Sequence, residues 1–240
     1  MKTHKYRPDS TFVMETLFLS LGFAFLIGLV HFFGEEIDEY LDSKHLLLAS
    51  FSAGLTVSYF FLAMLPEMSE ASVNLEYEFL FALGGFSTFY VLEEVIYERG
   101  SNLSKVRKEF KELHSVFIFL YHFAIGFLIY FLMAHGRGQA LLFYVPVLVH
   151  TAVNSLAIKE MHEEMLDKAW VKLSASFSAV LGVLTSYMVD PSQAVSYSVF
   201  GFIGGMFLYI VVHDALDPRK ERPVGFMIGA AIFSLVVFLL

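Results

Sequence analysis

Asp, Glu, Lys and Arg are missing from eight long runs of this chain, at 16–33, 45–65, 79–92, 113–136, 138–158, 173–189, 191–213 and 223–240. A charge-free run of about 20 residues suits a helix that crosses about 30 Å of hydrocarbon, where every backbone N–H and C=O must be satisfied within the segment. The third run, from Phe79 to Leu92, is too short by itself and spans only if it continues through Glu93 and Glu94 to Tyr97. With 57% hydrophobic and 17% charged residues, the composition exceeds what a soluble core of this size needs. The sequence therefore predicts an all-α polytopic membrane protein. Its single membrane domain, 1–240, holds eight transmembrane helices at about 12–33, 45–66, 77–97, 113–135, 138–159, 171–189, 193–214 and 223–240.

The composition also excludes several classes. With no Cys, the chain has no thiolate metal site, redox pair or cysteine nucleophile. A formal net charge of -8 argues against nucleic acid as a partner, since a binder of that kind carries a basic stripe.

The connectors predict orientation, because Lys and Arg in short loops stay on the cytoplasmic side. With both termini outside, 12 of the 16 Lys and Arg residues fall inside, in the connectors around Lys44, Arg99–Lys111, Lys159–Lys172 and Arg219–Arg222. Arg137 and the tail residues Lys2, Lys5 and Arg7 fall outside, so the tail votes against the loops. The expected location is the cell membrane, as a multi-pass protein. No signal peptide is expected, since no small-residue cleavage site follows the first apolar run before Glu35 and Glu36. The polar, basic stretch 100–112 reads as a short amphipathic piece or a loop. Gly201-xxx-Gly205 and Gly225-xxx-Gly229 mark close helix contacts.

Ionisable residues inside such runs are expensive and usually functional. His122 and His150 fall at similar depth in the oppositely directed fourth and fifth helices. Asn154 lies one turn after His150 on the same face, and Gly126, one turn after His122, leaves room for a neighbouring helix or an ion. A neutral His could equally lock two helices by bonding a backbone carbonyl or the hydroxyl of Tyr121 or Tyr144. Glu93 and Glu94 close the third helix, and His213 and Asp214 the seventh. These read as a cation exit, a proton relay or solvated helix ends. Glu67, Glu70, Glu76 and Glu78 have no Lys or Arg near them in sequence; they form an acidic vestibule or simply a wet loop.

Several segments together resemble the ZIP (Zrt/Irt-like) family of divalent-metal transporters. Ala63-Met64-Leu65-Pro66-Glu67 is similar to the family's His-Leu-Leu-Pro-Glu ending, with Ala63 at the His position. Gly204-Gly205-Met206-Phe207-Leu208-Tyr209 and the following His213-Asp214 resemble its Gly-x-Phe-Leu-Tyr run and inner His-Glu. The eight helices and external termini agree with its topology. The resemblance implies a transport site between helices four and five, with His122 and His150 at the two motif histidines. Phe123, Gly126 and Thr151 stand where the motifs carry Asn, an acid and Glu, and Asn154 stands at the later ligand. The implied site is thus reduced to two imidazoles and an amide.

The leading expectation is a transporter of divalent cations, zinc or a similar ion. The ion would enter past Glu67, pause at His122, His150 and Asn154, and leave by His213, Asp214, Glu93 and Glu94. The cation is substrate, no prosthetic group is expected, and the partners are the lipid bilayer and a second copy of the chain in a homodimer. One alternative is a homologue of the family that has lost metal transport. Another is an intramembrane enzyme: Glu93-Glu94, His122 and His150-xxx-Asn154 come in the order of the CAAX-protease-like motifs, in which a carboxylate activates water and His with Asn stabilises an oxyanion.

Overall fold

The computed structural model describes residues 9–41, 45–70, 75–99, 103–157, 169–210 and 222–239, and among these every regular element is helical. Eight helices run in order. The first is α1 (Ser10–Leu41). Next, α2 begins as His45–Tyr59, passes through one π turn, Phe60–Met64, and finishes as Leu65–Glu70. The others are α3 (Leu75–Arg99), α4 (Leu103–His135), α5 (Arg137–Ala157), α6 (Ala169–Val189), α7 (Gln193–Ile210) and α8 (Pro223–Leu239).

Most of the helices outrun their charge-free stretches; α3, as its short run required, continues through Glu93 and Glu94 to Arg99. Expected to end near residue 33, α1 continues through Glu35 and Glu36 to Leu41. The basic stretch before the fourth run, read as an amphipathic piece or a loop, is helical from Leu103 onward and continuous with α4. Charge limits the apolar part of a helix but not the helix, because Glu, Lys and Arg are good helix formers once their heads reach water. Eight spans were expected; among the described residues two segments are long and apolar enough to cross a membrane, Ser10–Phe33 and Leu46–Ser69.

Glycine sets the helix pairing. A Cβ on Gly126 of α4 would fall on the Ala179 carbonyl of α6, and one on Gly182 of α6 would fall on the Phe123 carbonyl of α4. The same reciprocity joins α3 to α7, through Gly85 against Phe202 and Gly205 against Ala82. It joins α2 to α8 through Gly54 against Phe226 and Gly229 against Phe51. Gly28 of α1 meets Ser176 of α6. Backbones approach this closely only where no side chain intervenes. The resulting pairs are α4 with α6, α3 with α7 and α2 with α8, while α1 packs on α6, α5 and α4, and α5 also touches α2. The two sequence motifs in α7 and α8 thus pack as expected. The space beside Gly126 is taken by α6.

The interior mixes large apolar side chains with small hydroxyls. Ile27, Met64, Ile125, Leu128, Leu132, Phe143, Phe200 and Phe207 form one buried cluster, and Thr16, Ser20, Ser52, Thr56, Ser176 and Ser186 are buried with them. The outside carries Phe18, Phe25, Phe61, Leu80, Leu83, Leu181, Met227, Ile232 and Phe238. Large apolar side chains thus lie on the outside as well as in the core, and hydroxyls are among the buried groups.

Candidate functional site

Gly136 joins α4 to α5 and fixes the depth of the two histidines expected from sequence. His122 precedes His135 by the same interval at which His150 follows Arg137. At 1.5 Å per residue both are roughly 20 Å from that turn. Both are buried, at 5% and 8% exposure. Pro146 sits inside α5 one turn ahead of His150, where its missing N–H leaves the Leu142 carbonyl without the usual helical donor.

The two rings meet different helices. His122 faces His31 of α1, with ring centres 4.8 Å apart and planes inclined at 42°. His150 meets the edge of Phe207 of α7, centres 5.0 Å apart and planes at 64°. That contact gives the Gly-x-Phe-Leu-Tyr run a local role: Gly205 brings α7 against α3, and Phe207 packs against a buried imidazole. On α5, His150 shares a stripe with Phe143, two turns earlier, which packs against Tyr59 of α2 and Phe200 of α7. Tyr144, about 100° around the helix, instead stacks on Phe23 of α1 at 4.2 Å.

Sequence reasoning passed over His31. The same signal that marked His122, an ionisable group within an uncharged run, was present, but its position near the end of the first run hid it. Only the packing of α1 beside α4 brings it to a second imidazole. The two tyrosines expected as hydrogen-bond partners for the histidines do not act so: the hydroxyls of Tyr121 and Tyr144 are buried and have no hydrogen-bond partner among the described residues. The hydroxyls of Thr16, Ser20, Ser52 and Thr56 share that state. Buried groups of this kind are costly unless water or a polar ligand reaches them.

At the Gly136 end of the bundle, Glu67 gathers three helices. Its carboxylate accepts from Gln139 Nε2 of α5 at 2.5 Å and from the Tyr197 hydroxyl of α7 at 3.1 Å. The π turn positions it. Pro66 cannot donate to the ladder, and just before it the Leu65 N–H reaches back five residues to the Phe60 carbonyl, so the last turn of α2 is re-aimed. Glu78, at the start of α3, is buried nearby, and its Oε2 has no hydrogen-bond partner among the described residues. The side chains of Glu70 and Glu76 lie outside the described part. Removing the acceptor in Glu67→Ala leaves Gln139 and Tyr197 without their partner. Because exposed Gln139 can turn to water, the loss of stability is expected to be about 0.5–1.5 kcal/mol, with Glu67→Gln losing less; thermal unfolding measures both.

The remaining predicted site residues fall differently. Glu94 is exposed on α3, whose packing partner is α7. His213 and Asp214, and the side chains of Glu93 and Asn154, lie outside the described residues. Among the described residues no group of three or more His, Cys, Asp or Glu is placed to hold a metal ion. What is present is a His–His contact and a second buried His at equal depth, donors suited to imidazole-binding cations. No protein-family model matches the chain, and no curated protein matches it in sequence.

Proposed function

We propose that this chain is a polytopic membrane protein that carries divalent metal cations, as the transporters it resembles do. The observation that carries the reading is the pair of buried imidazoles, His122 and His150, roughly 20 Å from one end of the bundle, on helices joined by a single residue. Imidazoles are rarely kept at such depth without a ligand or a partner to serve.

Three features support it. The exposed faces are apolar around a core that holds hydroxyls, as suits a bundle solvated by lipid. The hydroxyls of Thr16, Ser20, Tyr144 and Thr56 are buried with no hydrogen-bond partner among the described residues, and counted along their own helices they fall at increasing distance from the Glu67 end, short of the histidines. They are polar enough to replace part of an ion's hydration shell. Glu67 at the mouth supplies negative charge that raises the local cation concentration. A sparse donor set suits transit, because an ion must bind well enough to enter and weakly enough to leave.

In this mechanism the ion enters past Glu67, sheds part of its water along the hydroxyls and rests on imidazole nitrogen. Access then alternates as helices four and five shift against the rest. The contacts that must slide in such a shift are those of α4 on α6, of α1 on both α4 and α5, and of α2 on α5.

The test is uptake by proteoliposomes loaded with a metal-sensing dye, with Zn, Mn, Fe(II) and Cd assayed separately. The parent is expected to carry at least one of them, and the His122→Ala/His150→Ala variant to fall to the rate of empty vesicles. Equal flux in parent and variant removes these histidines from the path. No flux for any metal, with the parent folded, rejects transport.

A further inference from the structure

We infer that His31 and His122 form one cation-binding pair, an imidazole from α1 and one from α4, selective for borderline transition-metal ions such as Zn(II) and Co(II) over Ca(II) and Mg(II). This deepens the transport reading and rests on it for its purpose. It adds a ligand from a helix outside the α4–α5 pair.

The distance fits shared coordination. Nitrogen ligands sit about 2.0–2.1 Å from Zn, so two imidazoles on one tetrahedral ion hold their ring centres roughly 5 Å apart. His31 and His122 stand at 4.8 Å. Their planes are inclined at 42°, between the parallel offset and perpendicular arrangements that aromatic packing favours.

The helix geometry shows that His31 is carried inward. Thr16, Ser20, Phe23, Ile27 and His31 follow one another at intervals of four, three, four and four positions, so they share one face of α1. Along that face Thr16 and Ser20 are buried, Phe23 stacks on Tyr144 of α5 and Ile27 lies in the main core. His31 is the next residue of this inward stripe, against a ring that is 5% exposed. Its sequence depth agrees: Glu15, which pairs with Arg137 at the Gly136 end, precedes it by about 24 Å along the helix axis.

The donor chemistry sets the ligand class. Imidazole nitrogen suits Zn, Co, Ni and Cu, whereas Ca and Mg favour carboxylate, carbonyl and water oxygens. Two neutral rings leave the ion's charge uncompensated, so water fills the remaining positions and the hold stays weak.

The chain has no Cys, which makes one introduced thiol a specific reporter. Zn(II) and Co(II) binding are measured by calorimetry and by cobalt absorption on the purified full chain in detergent. The parent is compared with His31→Gln, His122→Gln, the double variant and His31→Cys. The expected result is a loss of at least about tenfold in Zn(II) affinity for either single Gln variant, the size that even an outer-shell change brings. The double variant is expected to bind no more weakly than the worse single one. His31→Cys is expected to recover binding, show a thiolate-to-cobalt charge-transfer band and shift preference toward Cd(II).

If His31→Gln binds Zn(II) as the parent does while His122→Gln does not, or if His31→Cys binds Co(II) without that band, the pair is overturned and the transport reading stands. A parent that binds neither Zn(II) nor Co(II) overturns the pair as well, and the flux assay then judges transport separately. Should His31→Gln fail to fold, the His31→Cys band decides.

Discussion

Leucine at Gly126 or at Gly182 is expected to abolish the folded bundle. Each glycine lies beneath a carbonyl of the opposing helix, Ala179 and Phe123 respectively. One added Cβ already collides with backbone, which cannot rotate aside as a side chain can. The helices would have to separate, opening the contact that buries Ala179, Val183 and Ile125. Overpacking a dense core costs about 1–3 kcal/mol and more when backbone must move. Here it strikes the α4–α6 pair directly below His122. The expected outcome is aggregation on size-exclusion chromatography or a fall in Tm of more than about 10 °C, using the usual 2–4 °C per kcal/mol for a chain of this size. Gly22 is the control: nothing lies within 4 Å of a Cβ built there. Gly22→Ala is expected to leave Tm unchanged or raise it, since Ala is the better helix former by about 0.8–1.0 kcal/mol. Equal behaviour of Gly22→Ala and Gly126→Leu would refute this packing.

What the sequence disclosed follows from what charge can and cannot report. The eight uncharged runs correspond to eight helices because a helix that faces an apolar interior excludes charge over whole turns, a signal that is hard to miss when summed along a run. Boundaries went astray where helices continue past that interior, as in α1 beyond Phe33 and α4 before Leu113, since there charge and helix coexist. Close contact was legible only where glycines repeat at four-residue spacing, in α7 and α8, and even there the partner helix was not. Gly54, Gly85, Gly126 and Gly182 act singly, and a single glycine in sequence does not reveal which carbonyl crosses it. The candidate site was half legible for a related reason. His122 and His150 could be matched in depth because one residue separates their helices, whereas His31 lies three helices before His122 and meets it only through the packing of α1 on α4.

Arginine at Ile232 is expected to reduce sharply the amount of protein recovered from membranes, and the same change at Leu83 to do likewise. Both side chains are exposed, at 47% and 60%, and neither lies in the buried clusters, so the substitution removes little packing. Its effect depends on the solvent outside. In water, a charge on an exposed apolar patch is tolerated and raises solubility. In lipid, Arg at the centre of a spanning helix costs about 2.5–3.5 kcal/mol on insertion scales. Ile232 lies in the middle third of α8, between Pro223 and Leu239, about 10–14 Å from either end and therefore too deep for full relief by snorkelling. Val224, next to the first residue of the helix and 67% exposed, is the internal comparison, since arginine there reaches the interface at little cost. The two environments thus give opposite signs for one experiment. Membrane recovery that falls for Ile232→Arg and Leu83→Arg but holds for Val224→Arg is the pattern of a bundle with lipid on its apolar faces. Equal recovery for all three, with a gain in soluble protein, would place water there and remove the premise of transport.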